Sequence, residues 1–210
     1  MKLNQLTVAI LAAGFAAQAS AAGFALSEQS VSANGTANAG RASDAVDASV
    51  VYNNPAAMHK LKQAQITSNV SFIDADTKIK NQSVAPPALA ATGNSKGDIV
   101  PHSFIPSGYF TSGDQGGWAW GVGAYSGFGL KTNHNDGFAG RYLGNKSDVK
   151  IMTVQPTVSY KLHDKLSVGV GATINKLEAY LSSNPADALG AFAFGKNAGR
   201  VQIEGDDMGY

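Results

Sequence analysis

From about residue 63 onward the chain alternates between apolar positions and polar or small ones. In residues 64–72, Ala64, Ile66, Val70 and Phe72 fall on one face, and Gln65, Thr67, Asn69 and Ser71 on the other. A period of two marks a β-strand with two unlike faces. A second strand is expected from His102 to Phe110, with Pro106 marking a bulge or an edge. A third runs from Trp118 to about Tyr125, with Trp118, Trp120 and Val122 opposite Ala119, Gly121 and Gly123. A fourth sets Met152, Val154, Val158, Tyr160 and Leu162 against Thr153, Gln155, Thr157, Ser159 and Lys161. A fifth sets Leu166, Val168, Val170, Ala172 and Ile174 against Ser167, Gly169, Gly171, Thr173 and Asn175, and a sixth begins at Val201 and Ile203.

Such alternation suits a soluble sandwich as well as a membrane barrel. The connections favour the barrel. Two are tight, at Ser112–Gly117 and His163–Lys165, whereas those around 74–100, 131–148 and 176–200 are long. Short turns at one end and long loops at the other are the outer-membrane pattern. Tyr109, Trp118, Trp120 and Tyr160 stand near strand ends, where aromatic girdles meet the membrane interfaces. The fold class expected is therefore all-β: a transmembrane antiparallel β-barrel with a small N-terminal plug of short helices and turns. About five strands and the start of a sixth are too few to close a barrel. The chain thus reads as a fragment, its final residues 206–210 resembling a strand cut short.

The start of the chain has the layout of a secretory signal: Lys2, an apolar run over 6–17, and the small-x-small site Ala19-Ser20-Ala21. That run is shorter than the roughly 20 residues of a membrane-spanning helix. The expected organisation is a signal peptide over 1–21, a plug over 22–62 and a partial barrel over 63–210. The 22–62 segment is rich in Ala, Ser, Asn and Gly and could not bury enough apolar surface alone, so it must pack into something. Composition narrows the functions further. The net charge of +1 offers no field for nucleic acid. The lack of cysteine removes disulfides, thiolate metal sites and thiol nucleophiles.

Several stretches resemble the long-chain fatty acid outer-membrane transporters of the FadL/TodX type. They are Ala22-Gly23-Phe24-Ala25-Leu26-Ser27-Glu28, then Asn38-Ala39-Gly40-Arg41-Ala42, Asp47-Ala48-Ser49, Asn54-Pro55-Ala56 and Ser126-Gly127-Phe128-Gly129-Leu130. Gly140-Arg141-Tyr142 and the stretch from Gln155 to Tyr160 are less specific. The likeness covers nearly the whole chain, and the order and spacing of the motifs carry it. The family is longer, and its C-terminal barrel half has no counterpart here.

The resemblance implies transport of a hydrophobic small molecule, a fatty acid or another apolar compound, by a protein in outer-membrane lipid that binds it at extracellular loops and releases it laterally or to the periplasm past a plug. The complete barrel is expected to be monomeric, with no cofactor. The resemblance makes Phe24 a substrate-binding residue, Asn54, Pro55 and Ala56 a plug or gate, and Ser126, Gly127, Phe128 and Gly129 a strand kink with a lateral opening. Read without it, Asn54–Ala56 is a turn and Ser126–Gly129 a strand ending early. Small residues Gly121, Gly123, Gly169 and Gly171 would give the plug room. Leu189, Phe192 and Phe194 form either an apolar landing surface or a loop packed on itself. General diffusion porin, barrel lipid-modifying enzyme and adhesin are the alternatives. Enzymatic signals are poor: His59, His102, His134 and His163 are scattered, and only Ser126 with His134 makes a loose pair. Asp74–Asp76 and Asn133–Gly137 hint at calcium loops without completing a ligand series.

Overall fold

The computed structural model describes residues 25–79, 99–134, 138–141, 143–184 and 199–210. They form one antiparallel sheet of β1 (Gln65–Ile73), β2 (Ser103–Thr111), β3 (Trp118–Asn133), β4 (Lys146–His163), β5 (Leu166–Gly171), β6 (Ile174–Ser183) and β7 (Val201–Gly209). The order is β1-β2-β3-β4-β6-β7, with β5 also beside β4. Neighbours in sequence are neighbours in space, the up-and-down arrangement of a barrel wall.

The polarity of the two faces is the reverse of a soluble sheet. Ile66 is 80% exposed and Phe104 70%, while Thr111 on the other face is fully buried. Along β4 the buried positions are Thr153, Gln155, Thr157 and Ser159, and the exposed ones include Met152, Val154 and Val158. Water would penalise this arrangement heavily. It suits a wall whose outer face meets lipid and whose inner face meets polar or small groups. Trp118 packs on Tyr160 at 4.5 Å and Trp120 on Phe110 at 5.0 Å, both pairs on the outer face near the short turns. Tyr109 departs from the girdle expectation. It sits in step with Ser107 and Thr111, is buried on the inner face, and faces Tyr125.

Three strands differ from their sequence-based outlines. β3 runs on to Asn133 and β4 begins at Lys146, because Gly129–Asn133 pair in register with Lys150–Lys146. The expected fifth strand is divided: β5 pairs with the lower part of β4 and β6 with its upper part. The break falls at Ala172–Thr173, opposite Pro156, which has no N–H to give to the ladder. What looked like loop after residue 176 is the body of β6, paired with β7 through Ser183↔Val201.

Residues 25–62 pack on the inner face. Helices Val31–Gly35 and Val50–Asn53 are followed by a 3₁₀ helix over Pro55–Lys60. Ser30 caps the first, its Oγ accepting from the amide of Ala33. Pro55 opens the 3₁₀ helix, where its missing N–H costs nothing. Ala48, Val50, Val51, Ala57, Met58 and Leu61 make the core with Tyr109, Ala119 and Tyr125 of the wall. Each large side chain here contributes about 1.5–3 kcal/mol of burial. The segment thus acquires the apolar partner it cannot supply for itself.

Candidate functional site

An opening in the wall between β2 and β3 defines the site. β2 pairs with β3 only from Ser107↔Tyr125 to Thr111↔Gly121. On the other side of β2 the ladder with β1 continues to Ile73↔Ser103, and beyond β3 the ladder with β4 continues to Asn133↔Lys146. Ser103–Pro106 and Ser126–Thr132 therefore face each other without strand pairing. The window closes again above, where the Asn133 amide donates to the Ile99 carbonyl at 2.8 Å.

A bulge produces this opening. Ser126 pairs with Met152, but Phe128 pairs with Ile151, so one extra residue, Gly127, is inserted into β3. The faces exchange beyond it. Before the bulge Tyr125 shares the inner face with Thr153; after it Phe128 and Leu130 share that face with Ile151 and Val149. Gly129 and Lys131 turn outward with Lys150 and Asp148. On the facing strand, Pro106 stands where pairing stops and has no N–H to continue it. Ser126 to Gly129 are thus gathered at one irregularity. A cavity of about 530 Å³ occupies the window, with Leu26, Ile73, Phe104, Ile105, Leu130 and Met152 among its lining.

The start of the described chain is stitched across the window. Ala25 bridges to Phe128, and the Leu26 amide donates to the Gly127 carbonyl at 3.2 Å. The side-chain amide of Gln29 donates to the Ser126 carbonyl. The Gln29 carbonyl accepts from Ser107 Oγ at 2.9 Å and Tyr109 Oη at 3.0 Å, and Ser71 Oγ donates to the Glu28 carbonyl at 3.0 Å. Three strands therefore hold one short segment. Leu26 rests on Gly129, where an added Cβ would stand 3.3 Å from its Cδ1.

Asn54, Pro55 and Ala56 lie apart from the window, against β5. Asn54 Nδ2 donates to the Ala42 carbonyl at 2.6 Å, and the Ala57 amide to the Asn54 carbonyl at 2.9 Å. Ser167 Oγ donates to the Ala56 carbonyl at 2.8 Å. A Cβ on Gly169 would stand 2.5 Å from the Ala56 nitrogen, and one on Gly121 2.6 Å from Val51. Gly123 and Gly171 instead meet wall side chains, Tyr109 and Thr157. Between the two regions, Gln155 accepts from Tyr125 Oη at 2.6 Å and donates to the Val51 carbonyl at 3.1 Å. Above, Arg41 donates to Asn53 Oδ1 at 2.9 Å with its guanidinium 4.9 Å from the Tyr52 ring centre.

Leu26, Gln29, Gln155 and Ser167 were not singled out from sequence. Gln155 carried one usable signal, a long polar side chain on the inner face of a strand. Phe24, Leu189, Phe192 and Phe194 lie outside the described residues. Ser126 and His134 stand at the two ends of an eight-residue stretch of extended chain, roughly 25 Å apart, so they form no pair. Asp74 meets His102 at 3.0 Å and Asp76 meets Lys78 at 2.9 Å, so those two carboxylates diverge. Among the described residues no three His, Cys, Asp or Glu side chains converge for a metal.

Known proteins resemble this chain along most of its length. The family model described as outer membrane protein transport protein (OMPP1/FadL/TodX) matches residues 12–210. Outer membrane protein P1 of Haemophilus influenzae is 32% identical over 196 residues, covering 87% of this chain and 42% of that protein. The long-chain fatty acid transport protein of Escherichia coli K12 is 30% identical over 164 residues, covering 78% of this chain and 36% of that protein. The crystal structure of a Pseudomonas aeruginosa FadL homologue superposes with a TM-score of 0.64 at 20% identity, covering 89% of this chain and 48% of that one. The chain spans less than half the length of these relatives. It belongs to the OMPP1/FadL/TodX family of outer membrane transport proteins, a barrel family of the Gram-negative outer membrane and not a family of enzymes.

Proposed function

We propose that the protein carries hydrophobic small molecules, long-chain fatty acids foremost, across the outer membrane. Substrate is received at the extracellular loops and passes out sideways through the window between β2 and β3, with residues 22–62 acting as a hatch over a signal peptide-processed start. The observation that carries this reading is the unpaired stretch of wall at the Gly127 bulge, lined by apolar groups. A hydrophobic molecule gains nothing from a water-filled lumen, and a side exit lets it avoid one. The hatch packed on the inner face supports this over an open diffusion pore. The named activity of the Escherichia coli relative agrees with the substrate class.

Deletion of Gly127 tests the reading. Removing the inserted residue leaves Ser126 opposite Met152 and Phe128 opposite Ile151 with nothing between them, which restores an unbroken β3 able to go on pairing with β2. Cells producing the variant from the protein's own gene are expected to take up radiolabelled oleate at the rate of cells lacking the protein, at equal surface abundance. Undiminished uptake would sink the lateral route.

A further inference from the structure

The outer rim of the window has two unlike sides. On β2 and β1 it is aromatic: Phe72 lies 5.0 Å from Phe104 and 5.6 Å from His102, whose Nδ1 meets Asp74 at 3.0 Å. On β3 and β4 it is cationic, because the bulge turns Lys131 outward beside Lys150. Both lysines line the same cavity as Phe104 and Met152. We propose that Lys131 and Lys150 form a docking site for the anionic head of an amphiphile leaving through the window, so that the outlet favours carboxylates over neutral hydrocarbons. This rests on the transport reading above and adds a specificity-determining pair to it.

Level and charge support the assignment. The outer face of β4 is apolar from Leu162 up to Met152 and then reads Lys150, Asp148, Lys146. The window spans that change, with Ser126 opposite Met152 and Lys131 opposite Asp148. A single-chain amphiphile in the window would place its chain along Phe104 and Met152 and its head at the lysines. That position keeps a carboxylate out of the apolar layer, where burial of an unpaired charge is prohibitive.

The lysines are not saturated by their carboxylate neighbours. Lys131 stands 3.7 Å from Asp148, a loose pair. Lys150 shares Glu178 with Lys176, each at 2.8 Å. Lys131 thus holds one loose pair and Lys150 one shared carboxylate beside the window, and Lys146 lies over the Tyr180 ring at 4.7 Å. Glu204 and Asp206 pair opposite Tyr180 and Glu178 on β7, two strands from β4 and so roughly 10 Å from it.

The experiment compares radiolabelled oleate with oleyl alcohol, which has a chain of the same length and no charge. Uptake is measured in cells producing the protein from its own gene, in a background without other uptake of either probe. In the double variant Lys131→Gln with Lys150→Gln, oleate uptake is expected to fall about fivefold. Oleyl alcohol uptake should stay unchanged, and the double variant to Arg should retain oleate uptake. Equal loss of both probes would mean that the lysines shape the wall, and unchanged oleate uptake that no head docks there; either result overturns the proposal. Wild-type protein that takes up neither probe would overturn the transport reading itself, and the docking site with it.

Discussion

Gly169 shows how closely wall and hatch are fitted. Its missing side chain leaves room for the backbone of Ala56, which an added methyl would meet at 2.5 Å. Backbone cannot step aside as a flexible side chain can, so Gly169→Ala should push the Asn54–Ala56 turn off β5 and break its hydrogen bond from Ser167. Overpacking of this kind costs about 1–3 kcal/mol. Gly108, on β2, has nothing within 4 Å of the same imagined methyl. Gly108→Ala should therefore leave stability unchanged or slightly raised. Urea unfolding of the two variants in detergent checks the contrast; equal effects would remove the close fit as an explanation. Alternation placed all four inner-face glycines correctly on one side of the sheet. It could not separate Gly121 and Gly169, which meet the hatch, from Gly123 and Gly171, which meet the wall. That distinction depends on where a non-periodic segment settles, and its residues carry no strand or helix pattern to locate it.

At the scale of elements, β3 and the loop above it carry the consequences of the bulge. His134 follows the end of β3, stacks on Phe138 at 3.9 Å, and gives its amide to the Asn145 carbonyl at 2.8 Å. Its Nδ1 is buried, with no hydrogen-bond partner among the described residues. Burial disfavours the charged ring and lowers its pKa from the usual 6.5. The unfolded loop then binds the proton more readily than the folded one. The loop's full stability is present above the unfolded value and is lost as the pH falls below it towards the lowered folded value. Exchange of the His134 amide, corrected for its intrinsic rate, should accordingly lose protection as the pH falls below about 6.5. In His134→Phe, which keeps the stack and removes the titration, protection should be flat; a wild-type profile as flat as the variant's would exclude the effect. The lengths of β3, β4 and β6 were hidden for a related reason. Lys131, Thr132, Ser147 and Asp148 read as loop because both faces of these strand ends are polar. Two-faced polarity erases the period on which strand recognition depends, although pairing continues through Asn133↔Lys146. The bulge itself was legible as Gly-rich sequence. Its exchange of faces was not, since a one-residue shift shows only against a partner strand.

For the whole molecule, the inverted polarity of the sheet fixes where the bilayer runs. The outer face of β4 is apolar or aromatic from Leu162 to Met152, and Asp164 below and Lys150 above mark its limits. Ten rises of about 3.3 Å, inclined at the roughly 40° typical of such strands, give a band about 25 Å tall, the thickness expected of an outer-membrane barrel. That agreement explains why the barrel class was readable from sequence before any likeness to known proteins: alternation and loop lengths both answer to one slab of lipid. It also makes the two faces of a single strand respond oppositely to charge. Val158 lies near the middle of the band and points outward, while Ser147, on the inner face, lies above the level of Met152. Val158→Arg should cost about 2–4 kcal/mol at that depth and lower the fraction of protein that inserts. Ser147→Arg, which never faces the hydrocarbon, should insert as wild type does. The measurement is the folded fraction after refolding into bilayers, read from heat-dependent mobility on gels. An equal loss for both variants would mean that Arg disturbs the strand itself, and the position of the band derived from β4 would have to be abandoned.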